Sequence, residues 1–304
     1  GGTFTLLGSS TGFTGPVVID AGTLVLDDLG AGGDLNTTSI TVNAGGTFVF
    51  GAGGNADLPN STVITTNAGG RTEIRQGENF AGMILDGGDW VFAGDFRSNI
   101  NFTAEQDGGY DLRSGRILTE FTNVANGGVL NRTGSTITVE KTTADTVVLG
   151  PGVSIGGAIP VSVHEGTLAI GVTALQAAHT GEYLIGDIGP ATLRLDGAGE
   201  GTRTAYTLIG TSGGTLDVAD PAGSLTISGD FEAQGGFTKA GPGTLVLTRA
   251  NALQDTTITG GVLRVADPAA LGFGPVSVTG GTLQVAPGVV LQGQSVTVDG
   301  SSLS

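Results

Sequence analysis

The sequence predicts an all-β chain folded as a parallel β-helix, a β-solenoid of about 14 to 15 coils of 18–24 residues each. Three observations point there. A Gly-Thr-Leu-X-Leu unit recurs along the whole chain. The residues after each glycine alternate with period two. Glycine supplies 57 of the 304 residues, well above the usual share of about 7%, without the every-third-position pattern of collagen.

The unit reads Ala21-Gly22-Thr23-Leu24-Val25-Leu26, then Gly45-Gly46-Thr47-Phe48-Val49-Phe50 and Gly87-Gly88-Asp89-Trp90-Val91-Phe92. It returns as Gly166-Thr167-Leu168-Ala169-Ile170, Gly214-Thr215-Leu216-Asp217-Val218, Gly243-Thr244-Leu245-Val246-Leu247, Gly261-Val262-Leu263-Arg264-Val265 and Gly281-Thr282-Leu283-Gln284-Val285. Alternation after the glycine marks a strand with one buried face. Leu24 and Leu26, Phe48 and Phe50, and Trp90 and Phe92 take the inward phase, and threonine the outward one. A second alternating run precedes each marker, as at Val17 and Ile19, Ile40 and Val42, or Val276 and Val278. Each coil therefore holds at least two short strands joined at a glycine corner, where close backbone approach or positive φ excludes a Cβ.

Parallel stacking places each residue on its counterpart in the next coil, about 4.8 Å away, which would give a rod of about 70 Å. The chain is expected to be one continuous segment over 1–304, less regular at 133–213, with glycine markers weak near Gly152 and Ala191. The best helical candidate, 173–178, is about one turn long. The chain opens and closes inside a repeat, so it is expected to be cut from a longer polypeptide.

Composition removes several function classes. The net charge is −16, from 28 acidic and 12 basic residues, and no two basic residues are adjacent. Phosphate backbones and anionic membrane surfaces need clustered Lys and Arg, so neither nucleic acid nor a membrane surface is an expected partner. No apolar run reaches the ~18 residues of a membrane span. Absence of cysteine removes disulfides, thiolate catalysis and cysteine-ligated zinc.

From Phe237 a longer pattern emerges: Phe237-Thr238-Lys239-Ala240-Gly241-Pro242-Gly243-Thr244-Leu245-Val246-Leu247, then Thr256-Thr257-Ile258-Thr259-Gly260-Gly261-Val262-Leu263, then Ala270-Leu271-Gly272-Phe273-Gly274-Pro275-Val276-Ser277-Val278. It resembles the passenger-associated transport repeat of bacterial autotransporters, also called the autotransporter-associated β-strand repeat. The resemblance is closest over 237–304, extends to the opening from Gly2 to Leu26, and covers about a third of the chain. It implies a right-handed β-helix exported across the outer membrane by the type V route and displayed on, or secreted from, a bacterial surface. The translocator barrel of that family has no match here.

Candidate chemistry is sparse. The two histidines are His164, at a strand end pointing outward, and His179, in a loop; neither adjoins a nucleophile-elbow serine. Asp86, Asp89, Asp95, Asp107 and Asp111 form the densest acidic stretch, and Asp27, Asp28 and Asp34 a second. Stacked carboxylates held across a glycosidic bond are the machinery of polysaccharide cleavage, and aspartate at coil corners is the structural alternative. Trp90 falls on the inward phase and so offers no sugar platform. The Gly-rich stretch 51–57 only loosely approaches a calcium β-roll motif, and Gly30-Ala31-Gly32-Gly33 lacks the lysine and helix of a phosphate loop.

The expectation is a non-catalytic structural or adhesive segment with no cofactor, no metal and no catalytic residue. Its partners would be a host or neighbouring-cell surface, such as a glycan or matrix component. The alternatives are a polysaccharide-active β-helix using the aspartates of 86–111, and a self-assembling surface fibre or surface-layer unit joined through coil ends, whose strand edges invite pairing.

Overall fold

Glycine followed by alternating apolar residues builds the strand Gly22–Leu26, and its neighbours in the stack show what that pattern does. It pairs in parallel with Thr3–Leu6 before it and Gly46–Phe50 after it, Leu24 on Phe48 and Leu26 on Phe50. The computed structural model describes residues 1–8, 10–27, 35–51, 58–76, 78–94, 100–104, 110–121, 128–132, 138–175, 179–299 and 302–303. It is an all-β, parallel β-solenoid of about 11 turns with essentially no helix. A 3₁₀ turn at Val172–Ala174 stands where the brief helical pattern begins. Two compact units divide the chain, 1–140 with 146–159, and 141–145 with 160–304.

In the first unit the ladder begun by Thr3–Leu6 continues through Arg71–Ile74 and the second half of Gly82–Gly94. A second ladder stacks Val17–Ile19, Ser39–Val42, Val63–Asn67 and the first half of Gly82–Gly94. A third side is built by Glu78–Phe80, Ile100–Ala104, Gly128–Arg132 and Val153–Ile155. Phe48, Phe50, Phe80, Trp90, Phe92 and Tyr110 are fully buried between these ladders. Phe80 meets the ring of Tyr110 edge-on at 5.9 Å and lies 6.5 Å from that of Trp90, geometry that adds about 0.5–1.5 kcal/mol per aromatic pair beyond burial.

In the second unit Gly166–Gly171, Ala191–Asp196, Gly214–Val218 and Phe237–Ala240 form one ladder, Leu168 lying on Leu193 and Leu193 on Leu216. Val161–Val163, Tyr183–Ile185, Thr207–Ile209 and Phe231–Ala233 form another. Gly199–Arg203, Gly223–Ile227, Thr244–Leu247, Val262–Val265 and Thr282–Val285 form the third. From Val161 onward these pairs run in register through the stretch where glycine markers are weak, because Ala191, buried and small, takes the place of the glycine.

Three expectations change. The glycine markers do not mark one face: Gly214 starts a strand on the first ladder, whereas Gly243, Gly261 and Gly281 precede or join strands on the third. Gly128 likewise belongs to the third side of the first unit. The structure has about 11 turns where 14 to 15 coils were expected. Coil length also exceeds the expected range, since Asp89 lies on Arg116, 27 residues on, across a strand pair with two register shifts. Finally, threonine does not always face water: Thr66, Thr72, Thr207 and Thr256 are buried.

Candidate functional site

The acidic stretch of the first unit lies on two adjacent strands, Gly82–Gly94 and Tyr110–Phe121. Alternation turns Trp90 and Phe92 inward and leaves Asp86 and Asp89 at the surface; the register places Ser114 on Asp86 and Arg116 on Asp89. Every described carboxylate here meets an arginine. Arg116 grips Asp89 with two bonds, Nε to Oδ1 at 2.9 Å and Nη2 to Oδ2 at 2.7 Å. Arg113 donates to Asp111 at 2.9 Å and to Asp86 at 3.3 Å. Those hydrogen bonds hold both guanidinium groups above their ordinary value, chiefly through Asp111 for Arg113 and Asp89 for Arg116. One coil earlier, Glu73 sits between Arg71, at 3.2 Å, and Arg75, whose Nε donates at 2.6 Å.

This is an alternating ladder of opposite charges. Glycosidic chemistry needs one carboxyl as acid and a second as base or nucleophile, held across a sugar bond. Asp86 and Asp111 instead share one guanidinium, while Asp89 is occupied by another. Asp95 and Asp107 lie outside the described residues. Asp28, Asp34, the stretch 52–57 and Gly30 to Gly33 do too. Asp86 also continues a polar corner ladder: Asn43 donates to Asp20 and Asn67 to Asn43, both at 2.7 Å, and Asn67 is the register partner of Asp86. Trp90 is fully buried, its indole N–H donating to Thr66 at 2.7 Å.

His164, at the end of Val161–Val163, is half-buried, with Nδ1 2.8 Å from Asp187 of the next coil. His179 lies in the stretch read as a loop. It lies outside any strand but is buried, edge-on to Tyr183 at 5.4 Å between ring centres, with Nδ1 3.2 Å from Arg203 Nη1.

Sequence reasoning missed three buried cations of the second unit: Lys141, Arg203 and Lys239. Lys239 Nζ donates to the carbonyls of Ala240, Gly241 and, one coil on, Gly260, at 2.5, 2.9 and 3.2 Å. Lys141 does the same with Thr143 and Glu165. Burial pulls Lys239 down to about 8 against the smaller opposing pull of Asp217. Arg203 is likewise pulled down to about 10 by burial, and its guanidinium stacks 4.1 Å from the Tyr183 ring centre. A signal existed: Lys239 shares the inward phase with Phe237, and Lys141 with Val139. Among the described residues no group of three or more His, Asp or Glu comes together as a metal site.

An apolar cavity of about 360 Å³ opens in the first unit beside the strand Thr3–Leu6, lined by Phe4, Leu6, Phe13, Val17, Leu24 and Leu35. Phe4, the register partner of Leu24, is 65% exposed.

Comparison with known proteins gives one family. The passenger-associated-transport-repeat model matches residues 1–26 and 237–265, together less than a fifth of the chain. The first match covers Thr3–Leu6 to Gly22–Leu26, and the second covers Phe237–Ala240 to Val262–Val265. No curated protein and no solved structure matches the chain. The repeats and the parallel solenoid together fit an autotransporter passenger with a β-helix. Such repeats are generally structural, and the family implies a secreted or surface-exposed protein.

Proposed function

We propose that this chain is a non-catalytic structural or adhesive segment, a stalk or display scaffold, of a bacterial cell-surface protein exported by the autotransporter route. The observation that carries the reading is that the described polar groups of the candidate stretch and of the buried corner are spent on stacking. The carboxylates of Asp86, Asp89 and Asp111 are tied to arginines, and the ammonium of Lys239 to corner carbonyls. A catalytic site instead keeps its polar groups convergent on a reacting atom. Its partner would be a glycan or matrix component on a host or neighbouring cell.

Two measurements test this. A polysaccharide panel incubated with the protein is expected to yield no cleavage; turnover that Asp86→Asn or Asp111→Asn abolishes would overturn the non-catalytic part. Glycan and matrix arrays are expected to show binding if the segment is adhesive, and a silent array leaves the scaffold role alone standing. A second reading is self-association through the strand edges at coil ends. Sedimentation across a concentration range tests it, and a strictly monomeric chain removes it.

A further inference from the structure

We propose that a straight row of threonine and serine hydroxyls on the outer face of the second unit is the docking surface for an uncharged, extended polysaccharide. The proposal rests on the adhesive reading of the chain and gives it a surface and a ligand chemistry. Strand register stacks Thr167, Thr192, Thr215, Thr238, Thr257 and Ser277 in one column, one residue per coil. At about 4.8 Å per coil the six positions span about 24 Å. None of the six hydroxyls bonds to another described residue, and none is sealed from solvent. Where the fold uses a hydroxyl for stacking, it pairs it. Thr248, Thr259 and Thr279 donate to the carbonyls of Ile227, Lys239 and Ile258 of the preceding coil, at 3.2, 3.3 and 3.3 Å.

A solvent-facing strand position does not by itself require such a row. β-Branched residues suit a pleated, half-exposed surface, but that preference asks for the branch and not for the oxygen. The other sides of the same unit show the difference. Their outward positions are mixed: Ser162, Leu184, Leu208 and Glu232 stack on one side. On the other, Thr226 is followed by Val246, Arg264 and Gln284, and the companion row from Ser224 is broken at Val262. Only the column from Thr167 to Ser277 keeps a hydroxyl at all six steps.

The ligand chemistry follows from the groups on offer. A hydroxyl both donates and accepts, so the row suits a partner whose own groups do both, as sugar hydroxyls do. The chain carries a net charge of −16, which repels polyanions and a second copy of the chain alike. Gly213 and Gly236 border Thr215 and Thr238 on one side and Asp217 and Ala240 on the other, so no long side chain stands over the middle of the row. A single neutral hydrogen bond adds little in water. Affinity therefore has to accumulate along several coils, which calls for an extended chain and not a compact ligand.

Calorimetric titration of the whole chain with cellohexaose, mannohexaose and xylohexaose tests this, with the matching disaccharides and hyaluronan alongside. At least one neutral hexamer is expected to bind, its disaccharide at least about tenfold more weakly, and hyaluronan not at all. The double variant Thr215→Val/Thr238→Val keeps the branch and removes two hydroxyls, and should weaken binding about tenfold. Thr215→Ser/Thr238→Ser keeps both hydroxyls and should stay within about twofold of the native protein. Native affinity in the valine variant, or binding of hyaluronan alone, overturns the hydroxyl row and leaves adhesion standing. A native protein that binds none of the hexamers overturns the polysaccharide assignment, and the matrix arrays then decide adhesion separately. Should the valine variant fail to fold, the disaccharides decide: one that binds as tightly as its hexamer overturns the row.

Discussion

In the first unit Arg113 and Arg116 lie on the outer face, 40% and 57% exposed, each bound to aspartates of its own or the preceding coil. In the second, Lys239 is fully buried and Arg203 nearly so, and their bonds go mainly to backbone carbonyls. The difference follows from what fills each core. The first unit packs Trp90, Tyr110 and four buried phenylalanines, and among its described residues Arg71, Arg75, Arg113 and Arg116 stay at the surface. The second buries Tyr183, Phe231 and Phe237 among aliphatic ladders such as Leu168, Leu193 and Leu216 and admits long cationic side chains to its corners. There a carbonyl of the next coil is always at hand, because parallel stacking repeats the corner every turn. A buried ammonium needs several good acceptors to offset desolvation, and a solenoid corner supplies them in rows.

The largest expected effect lies in the aromatic core. Trp90→Ala removes the largest fully buried side chain of the first unit and leaves Thr66 and Thr72, hydrogen-bonded to each other at 2.6 Å, without the indole donor. The cost is about 4 kcal/mol, read in a denaturant unfolding curve. Hydrogen exchange should localise the loss to the first unit, and an equal loss in both units would break the distinction drawn between them.

The second unit can be tested through its backbone. Gly186 has φ of +81°, and a Cβ there would lie 2.0 Å from the carbonyl oxygen of Gly213 in the next coil. Gly186→Ala is expected to cost about 3 kcal/mol, the left-handed penalty plus a clash that backbone cannot relieve cheaply. A Gly186→Ala protein as stable as the native one would show that coils can separate locally without loss.

Next comes the pH dependence of the buried lysine. Lys239 titrates at about 8 in the folded protein against 10.5 in the unfolded chain. Between those values the unfolded chain holds a proton that the folded one has released, so stability rises from pH 8 to 10.5 and this gain is absent below pH 8. The gain is on the order of 2 kcal/mol. It should vanish in Lys239→Met, measured by unfolding curves at pH 7.5, 9 and 10.5. Falling stability over that window in the native protein alone would reverse the assignment.

What the sequence disclosed, and what it hid, divides along the same physical line. Period-two alternation is a local signal, so Phe48 over Leu24 and Leu245 over Leu225 could be foreseen as inward rows. Which ladder a strand joins is a three-dimensional matter. Gly214 and Gly243 begin the same Gly-Thr-Leu pattern yet sit on different sides, because the intervening coil carries three strands, Gly214–Val218, Gly223–Ile227 and Phe231–Ala233. The aspartates of 86–111 were legible as a cluster, but not the arginine partners of Asp86 and Asp89, which lie one coil away, 27 residues on. Arg203 was hidden for another reason: the inward phase of Gly199–Arg203 is otherwise held by Gly199 and Gly201, which carry no apolar signal.

The smallest effect is expected where the ion pairing looks richest. Arg116→Ala deletes a bidentate pair with Asp89, but the arginine is more than half exposed. Water and salt screen the attraction, and freeing the side chain returns rotamer entropy, so the change in stability should stay below about 1 kcal/mol. Raising the salt concentration should shrink it further, whereas the cost of Trp90→Ala should not respond to screening. Should Arg116→Ala instead cost as much as Trp90→Ala, the outer charge ladder would be holding adjacent coils together. The first unit would then depend on its cations as closely as the second does on Lys239 and Arg203.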